Sequence, residues 1–588
     1  MLRPRKPMAI LIAVAMILCP SLAAVAQSPG AVTVFQAQKI ITMDSGWPDG
    51  QFVAVRDGKV LSVGRTMDDL KPWLKSAYTL DTTFQGKVLL PGFIEAHGHP
   101  LLGGLLLSRP LVSYMPTALP YGPDFPGVRT IDGVAQIVRD HLAKVANDGQ
   151  PVIFWGYDVV AMGRHLTKAD IDAWAGARPV IVWDASEHFV YANSAALKRA
   201  GITKDALKIN GVGAGPDGEP NAQFLGVTAT SFFIDPQVGA LMTPEAASAV
   251  MKFAIDLHWK NGVTTTSEMA LGVVAGTDRE VPLFEGFFND PNRPIRAVAV
   301  VDVATITREK AGDAVAFSRS LESRSTDRLI YKGVKFFADD SYLSMGMQID
   351  NPGYTDGRKG IWITRPEDMV GLYRPWWEAG FHIHTHTNGN ASNQAVVATL
   401  EQLQANKPRF DHRFTFQHFG ISTPEQVRRV KALGGVASLN PYYVYTRGEL
   451  SAPLLGTDRA YTAARLKTLV DAGVPTALHT DMPVGPPRPL EEIWIAVNRL
   501  GYFSKAVLGP AERVSALQAL RMVTIDAAFS LGIEDRVGSI APGKFADFTV
   551  LEADPLAVPV ATIRDIKVWG TVLGGRKFPV TDIKPSGR

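Results

Sequence analysis

"GFIEAHGHP", residues 92–100, places two histidines one residue apart at the end of an apolar run. Alternate side chains of an extended strand share a face, so His97 and His99 can both reach one ion. A lone strand histidine is more often a packed core residue than a ligand. The reading therefore turns on what else the chain brings to the same place.

Seven further strand-like runs follow: "GVTTTSEM" (262–269), "IRAVAVVD" (295–302), "GVKFFADD" (333–340), "FHIHTHTNG" (381–389), "FTFQHF" (414–419), "GVASLNP" (435–441) and "PTALHTD" (475–481). With residues 92–99 they make eight, alternating with helical stretches. That pattern predicts an α/β fold, a closed (β/α)8 TIM-like barrel over residues 91–530. The first two strands are too far apart for one helix. Residues 100–255 are therefore a long insertion after strand one, with its own "PVIFWGYD" and "PVIVWDASEH" runs. Residues 27–90 and 531–588 are short alternating segments with glycine turns, and "RDGK" (56–59) is a hairpin signal. They predict one small composite β-sandwich domain built from both chain ends.

Residues 1–26 are a different object. Arg3, Arg5 and Lys6 precede the short apolar run "MAILIAVAMIL", and "AVA" at 24–26 is a small-residue cleavage site. The run is too short to span a bilayer comfortably. The reading is a secretory signal peptide cut after Ala26, giving a secreted or periplasmic protein with no stable membrane anchor. Its removal lowers Lys+Arg from 60 to 57, equal to Asp+Glu at 57. A near-neutral mature chain offers no basic patch for nucleic acid. The single cysteine, Cys19, also leaves, so a metal site in the mature chain uses His, carboxylate or Lys.

In a barrel of this kind the active site lies at the C-terminal ends of the strands. Strand one ends with His97 and His99, and strand four holds Lys335. Strand five carries His382, His384 and His386 on one face, strand six ends at His418, and strand eight ends with His479 and Asp481. On strand five only the uppermost residue, His386, is placed to reach the site. The lower two line the barrel interior or brace the ligands.

The order HxH, Lys, His, His, Asp over strands one, four, five, six and eight resembles the amidohydrolase superfamily of metal-dependent hydrolases. More narrowly it is similar to the YtcJ-like amidohydrolase family 3 branch. The stretches that carry the resemblance include "LLPGFIEAHGHP", "GVKFFADD", "GFHIHTHTNGNA", "HRFTFQH", "ALHTDMPVGPPRPLEEIWIAVNR", "ALRMVTIDAAFSLG" and "GSIAPGKFADFTVLEADP". "EHFVYANSAALKRAGI" (187–202) resembles the branch's insertion. The resemblance covers nearly all of the mature chain.

It implies metal ligands at His97, His99, Lys335, His386, His418 and Asp481, with one or two divalent ions. It also implies N6-carboxylation of Lys335, which turns a cation that a metal would repel into an anionic oxygen ligand. Donors of this type suit Zn2+. An ion there lowers the pKa of its water from about 15.7 to about 7. Asp481 then shuttles the proton to the leaving nitrogen of an amide-like C–N bond, and His188 helps the developing oxyanion. His384, Asn390, Gln417, His479, Asp158 and Tyr157 are expected to brace the ligands or line the pocket.

This chain departs from the branch in three places. Asn390 and Gln417 stand where carboxylates are usual, and Asp340 stands where glycine is common. The two amides lower the charge around the ligands. "GGLLLSRPLVSYMP" (103–116), "WGYD" (155–158) and "PYYVY" (441–445) are expected to close the pocket over a small molecule with an apolar or aromatic part. Ester hydrolysis, isomerisation or lysis on the same fold stays open, as does a non-catalytic periplasmic binding protein with a vestigial site. The oligomeric state also stays open, a homo-oligomer included.

Overall fold

The computed structural model describes residues 30–75 and 77–583, so the leader expected over 1–26 lies outside the described residues. All eight expected strands form. They are β1 (Phe93–Ile94), β2 (Val263–Leu271), β3 (Arg296–Asp302), β4 (Leu329–Phe337), β5 (Ile383–Thr387), β6 (Thr415–His418), β7 (Val436–Leu439) and β8 (Thr476–Leu478). They lie in that spatial order in one parallel sheet. Every residue of β2 and β3 is buried, as a parallel sheet covered on both faces requires.

The expected closed barrel needs one correction. The sheet curls, but its ladder stops between β1 and β8. β1 is only two residues long, and its surrounding donors are already used: Gly92 N bonds Asp547 O and Ile94 N bonds Val523 O. The gap is bridged just beyond the strand ends, where Asp481 N donates to His97 O at 3.0 Å and His99 N donates to Met482 O at 3.1 Å.

Between β1 and β2 the chain forms helix α1 (Pro100–Leu107), then a five-stranded sheet spanning residues 152–225. Helices α2 (Val227–Leu241) and α3 (Pro244–Lys260) return it to β2.

The chain ends do meet, but in one continuous seven-stranded sheet rather than a two-sheet sandwich. Its N-terminal strands (32–91) and C-terminal strands (548–579) join where Phe548–Leu551 pairs with the end of Tyr78–Pro91. The sheet curls until the Lys59–Gly64 edge meets the chain before Phe548: Val60 N donates to Lys544 O at 2.9 Å, and Ala546 N to Gly58 O at 2.8 Å. One curled sheet can enclose Phe35, Phe84 and Phe548 without a second layer. A buried ion pair ties it to the eight-stranded sheet, with Arg296 Nε 2.6 Å from Asp547 Oδ2. Among the described residues no helix is long and apolar enough to cross a membrane.

His258, on α3, is buried under β2. Its Nδ1–H donates to Ala254 O at 2.8 Å, and Nε2 accepts from the Thr266 hydroxyl at 3.3 Å, which fixes the neutral tautomer. Burial lowers its pKa to about 4. The unfolded chain therefore binds the extra proton first, so the stability His258 contributes is present above pH 6.5 and is lost as pH falls towards 4. We expect the difference in unfolding free energy between wild type and H258Q to shrink by up to ~3 kcal/mol from pH 7.5 to pH 4. Paired denaturant titrations check this; a pH-independent difference would contradict it.

Candidate functional site

His97 and His99 lie just past β1 and Asp481 just past β8, so the seam between those strands places all three. His97 Nε2 and His99 Nε2 each lie 3.4 Å from Asp481 Oδ1. Nitrogen and oxygen donors about 2.0–2.1 Å from a tetrahedral ion sit about 3.4 Å apart. These three donors therefore have the spacing of an ion's coordination edge. Lys335, fully buried on β4, puts its Nζ 3.3 Å from His97 Nε2. Asp481 and His418 both hold left-handed backbone, with φ of 58° and 72°. Such strain in non-glycine residues persists only where surrounding contacts enforce it.

A second group of donors comprises His97, His418 and His479, also with ligand atoms within 4.8 Å of one another. His418 Nδ1 lies 3.1 Å from His479 Nε2 and 3.8 Å from Asp481 Oδ2. The His479 ring stacks on His97 at 4.8 Å, and its Nδ1 meets the Ser438 hydroxyl at 2.8 Å. His479, expected only to brace the site, thus sits among the donors. His386 lines the same cavity beside His418, ring centroids 4.5 Å apart, with its Nε2 accepting from Asn388 Nδ2 at 3.0 Å.

Gln417 acts as a bridge. Its Oε1 lies 2.6 Å from His97 Nδ1 and its Nε2 lies 2.9 Å from His384 Nδ1. Accepting from Nδ1–H leaves the His97 Nε2 lone pair free for the cluster. His384 therefore braces the site through Gln417, from one level below His386. Asn390 does not touch the donors. It holds the loop at Asp350, whose carboxylate accepts from its Nδ2 at 2.7 Å.

The electrostatics favour ligation. Burial holds His386 and His479 down at about 3, and burial with the Lys335 charge holds His97 well below the usual range. Burial, then the neighbouring imidazoles His386 and His479, holds His418 well below it too. These imidazoles are neutral at pH 7, as a ligand must be. Burial also brings Lys335 down to about 7, against the pull of Asp481, Asp302 and Glu268. His99 is the exception: burial disfavours its charge, but Asp481 and Glu268 lift it to about 10.

Glu95 and Glu268 carry the site without having been singled out from the sequence, and Asp340, noted there only as a departure from glycine, acquires a partner. Glu95 lies two positions before His97, and its Oε1 accepts from Thr480 N at 2.9 Å, clasping the β1–β8 seam. The signal was present in the opening stretch, since 95, 97 and 99 share one period-two face. Glu268 on β2 holds His99 Nδ1 at 3.1 Å. Asp340 lies 3.0 Å, through Oδ2, from His188 Nδ1. It keeps His188 raised above its usual pKa despite burial.

A cavity of about 130 Å³ opens over these groups. Its apolar wall is Leu102, Trp183, Ile234, Val238, Val273 and Phe337. Of the three segments expected to close it only Tyr443 lines it; otherwise they line a neighbouring cavity, which includes Leu107, Tyr114, Trp155, Tyr442 and Tyr445. The two cavities share only Tyr443 and Val484. Asp158 faces the neighbouring cavity and pairs with buried Arg447. Tyr157 lines neither: its hydroxyl donates to Arg164 O at 2.7 Å and its ring packs on Tyr191. The expectation missed α2, which supplies Thr230, Ile234, Asp235 and Val238 to the wall, because its mix of polar and apolar residues reads as an ordinary helix.

Residues 84–577 match the model of the amidohydrolase family. The chain belongs to that family. It is 25% identical to the putative amidohydrolase YtcJ of Bacillus subtilis, over 89% of this chain and 95% of that one. It is 26% identical to the N-substituted formamide deformylase of Arthrobacter pascens, over 91% and 96%. It is 27% identical to Protein LONG AFTER FAR-RED 3 of Arabidopsis thaliana, over 92% and 90%. An uncharacterized metal-dependent hydrolase from Pyrococcus horikoshii shares the fold, with a TM-score of 0.68 at 19% identity over 90% of this chain and 99% of that one.

The Gln417 bridge gives a direct test. Q417L removes the acceptor from His97 Nδ1, and loss of such an orienting contact costs about 10–100-fold in metal affinity. Competition titration with a Zn2+ chelator checks this; unchanged affinity would show that Gln417 does not orient His97.

Proposed function

We propose that this amidohydrolase-family chain is a metal-dependent hydrolase of an amide-like C–N bond in a small molecule, exported after cleavage behind Ala26. The observation that carries the activity is the convergence of His97 Nε2 and His99 Nε2 on Asp481 Oδ1 beside buried Lys335, at the floor of an apolar cavity. His97, His99 and Asp481 would hold a divalent ion, and His418, His386 and a carboxylated Lys335 would hold a second. Zn2+ suits the nitrogen and oxygen donors. Such an ion supplies Lewis acidity and an acidified water near neutral pH.

The residues then divide the work. Asp481, kept ionised because His99 outweighs the effect of burial, accepts the proton from the attacking water at its carboxylate. It returns that proton to the leaving nitrogen. His188, whose pKa Asp340 raises against the effect of burial, lines the cavity and would donate to the oxyanion as the carbonyl carbon becomes tetrahedral. Trp183, Ile234 and Val238 exclude water and accept an apolar or aromatic substituent. The Arthrobacter relative, named for N-substituted formamides, supports formamides as the first substrates to assay.

Chelation should abolish hydrolysis of N-benzylformamide and Zn2+ should restore it. D481N should lower kcat by at least about 100-fold while leaving the fold intact. A D481N enzyme with wild-type turnover, or activity indifferent to chelation, would overturn the assignment.

A further inference from the structure

Glu187 is held in an unfavourable backbone conformation, with φ of 67°, where glycine is preferred. The turn around it is fixed from both sides. Glu187 N donates to Asp184 O at 2.9 Å, and its own carbonyl accepts from Trp183 Nε1 at 3.0 Å. The next carbonyl, His188 O, accepts from Gly226 N at 2.9 Å and from the Thr230 hydroxyl at 2.8 Å. Strain over-determined in this way clusters at ligand clamps and active sites.

The side chain lines the cavity above the donors, and its Oε1 is buried with no hydrogen-bond partner among the described residues. A buried carboxylate oxygen without a partner is costly, and native structures rarely leave one. Glu187 is also far from its usual range: burial pushes it up to about 7, against the opposing charges of His99 and His188. What Oε1 lacks is a hydrogen-bond donor. Trp183, Glu187, Thr230 and Asp235 all come from the insertion, whereas the metal-type donors come from the strand ends. The two sets therefore form different walls of one cavity.

We propose that Glu187, with the indole of Trp183, is a binding subsite for a protonated primary amine carried by the substrate. An ammonium group supplies the donors that Oε1 lacks, and an adjacent indole attracts a cation. Ile234 and Val238 bury the methylenes leading to it. The preferred substrates are accordingly amides bearing an aminoalkyl or arylalkyl-amine group, a refinement that rests on the hydrolase reading above. The subsite itself does not depend on turnover.

The test is calorimetric binding of 3-phenylpropylammonium and the neutral, similarly shaped 3-phenylpropan-1-ol to the full chain loaded with Zn2+ at pH 7. Wild type should bind the ammonium at least tenfold tighter than the alcohol. E187Q should reduce that preference below threefold. E187G should do the same, and its melting temperature should rise because glycine suits the left-handed backbone. Direct coordination of the amine to the metal would survive in both variants, so a retained preference in E187Q and E187G overturns the proposal. Equal affinities in wild type overturn it too. A Glu187-dependent preference in a chain that hydrolyses no amide would sink the proposed activity and leave the subsite standing.

Discussion

The site depends on a seam that is not part of any strand ladder. Asp481 N bonds His97 O, and His99 N bonds Met482 O, across the open edge between the first and eighth strands. Those two backbone bonds set the three side chains at the spacing of a coordination sphere. Glu95 strengthens the seam by gripping Thr480 from the other side, although burial pushes its carboxyl above the usual range. A longer first strand would have closed the ladder with its own backbone groups. The short strand instead leaves residues 95–99 free to turn towards Asp481.

Much of this arrangement was legible in the sequence because it follows from periodicity. All eight strands fall where the apolar runs place them, and His97, His99, Lys335, His418 and Asp481 converge from four of them. What was not legible depends on loops and on packing across the sheet. Asn390 looks like a residue beside the ligands, but its position at the start of a helix points it at Asp350. Tyr157 and Asp158 read as pocket residues, yet the turn after their strand sends one into the core and the other to Arg447. Glu95 was overlooked because a carboxylate beside two histidines reads as a ligand or as nothing, not as a clasp for a backbone seam.

The departures from the family pattern acquire separate physical meanings. Gln417 is a neutral bridge: it orients His97 without the charge that a glutamate would add, so the ligand is positioned but less basic. Asp340 adds charge elsewhere, 3.0 Å from His188, whose pKa it raises against burial. Negative charge is thus lower under the metal-type donors and higher at the group opposite them.

The central claim is that His97, His99 and Asp481 hold a divalent ion. Anomalous diffraction at the zinc edge, from crystals of the zinc-loaded protein, tests it most directly. The account predicts a peak about 2.0–2.2 Å from His97 Nε2, His99 Nε2 and an Asp481 carboxylate oxygen. A zinc-loaded crystal with no peak among these three residues, or with its zinc held elsewhere in the chain, would contradict it.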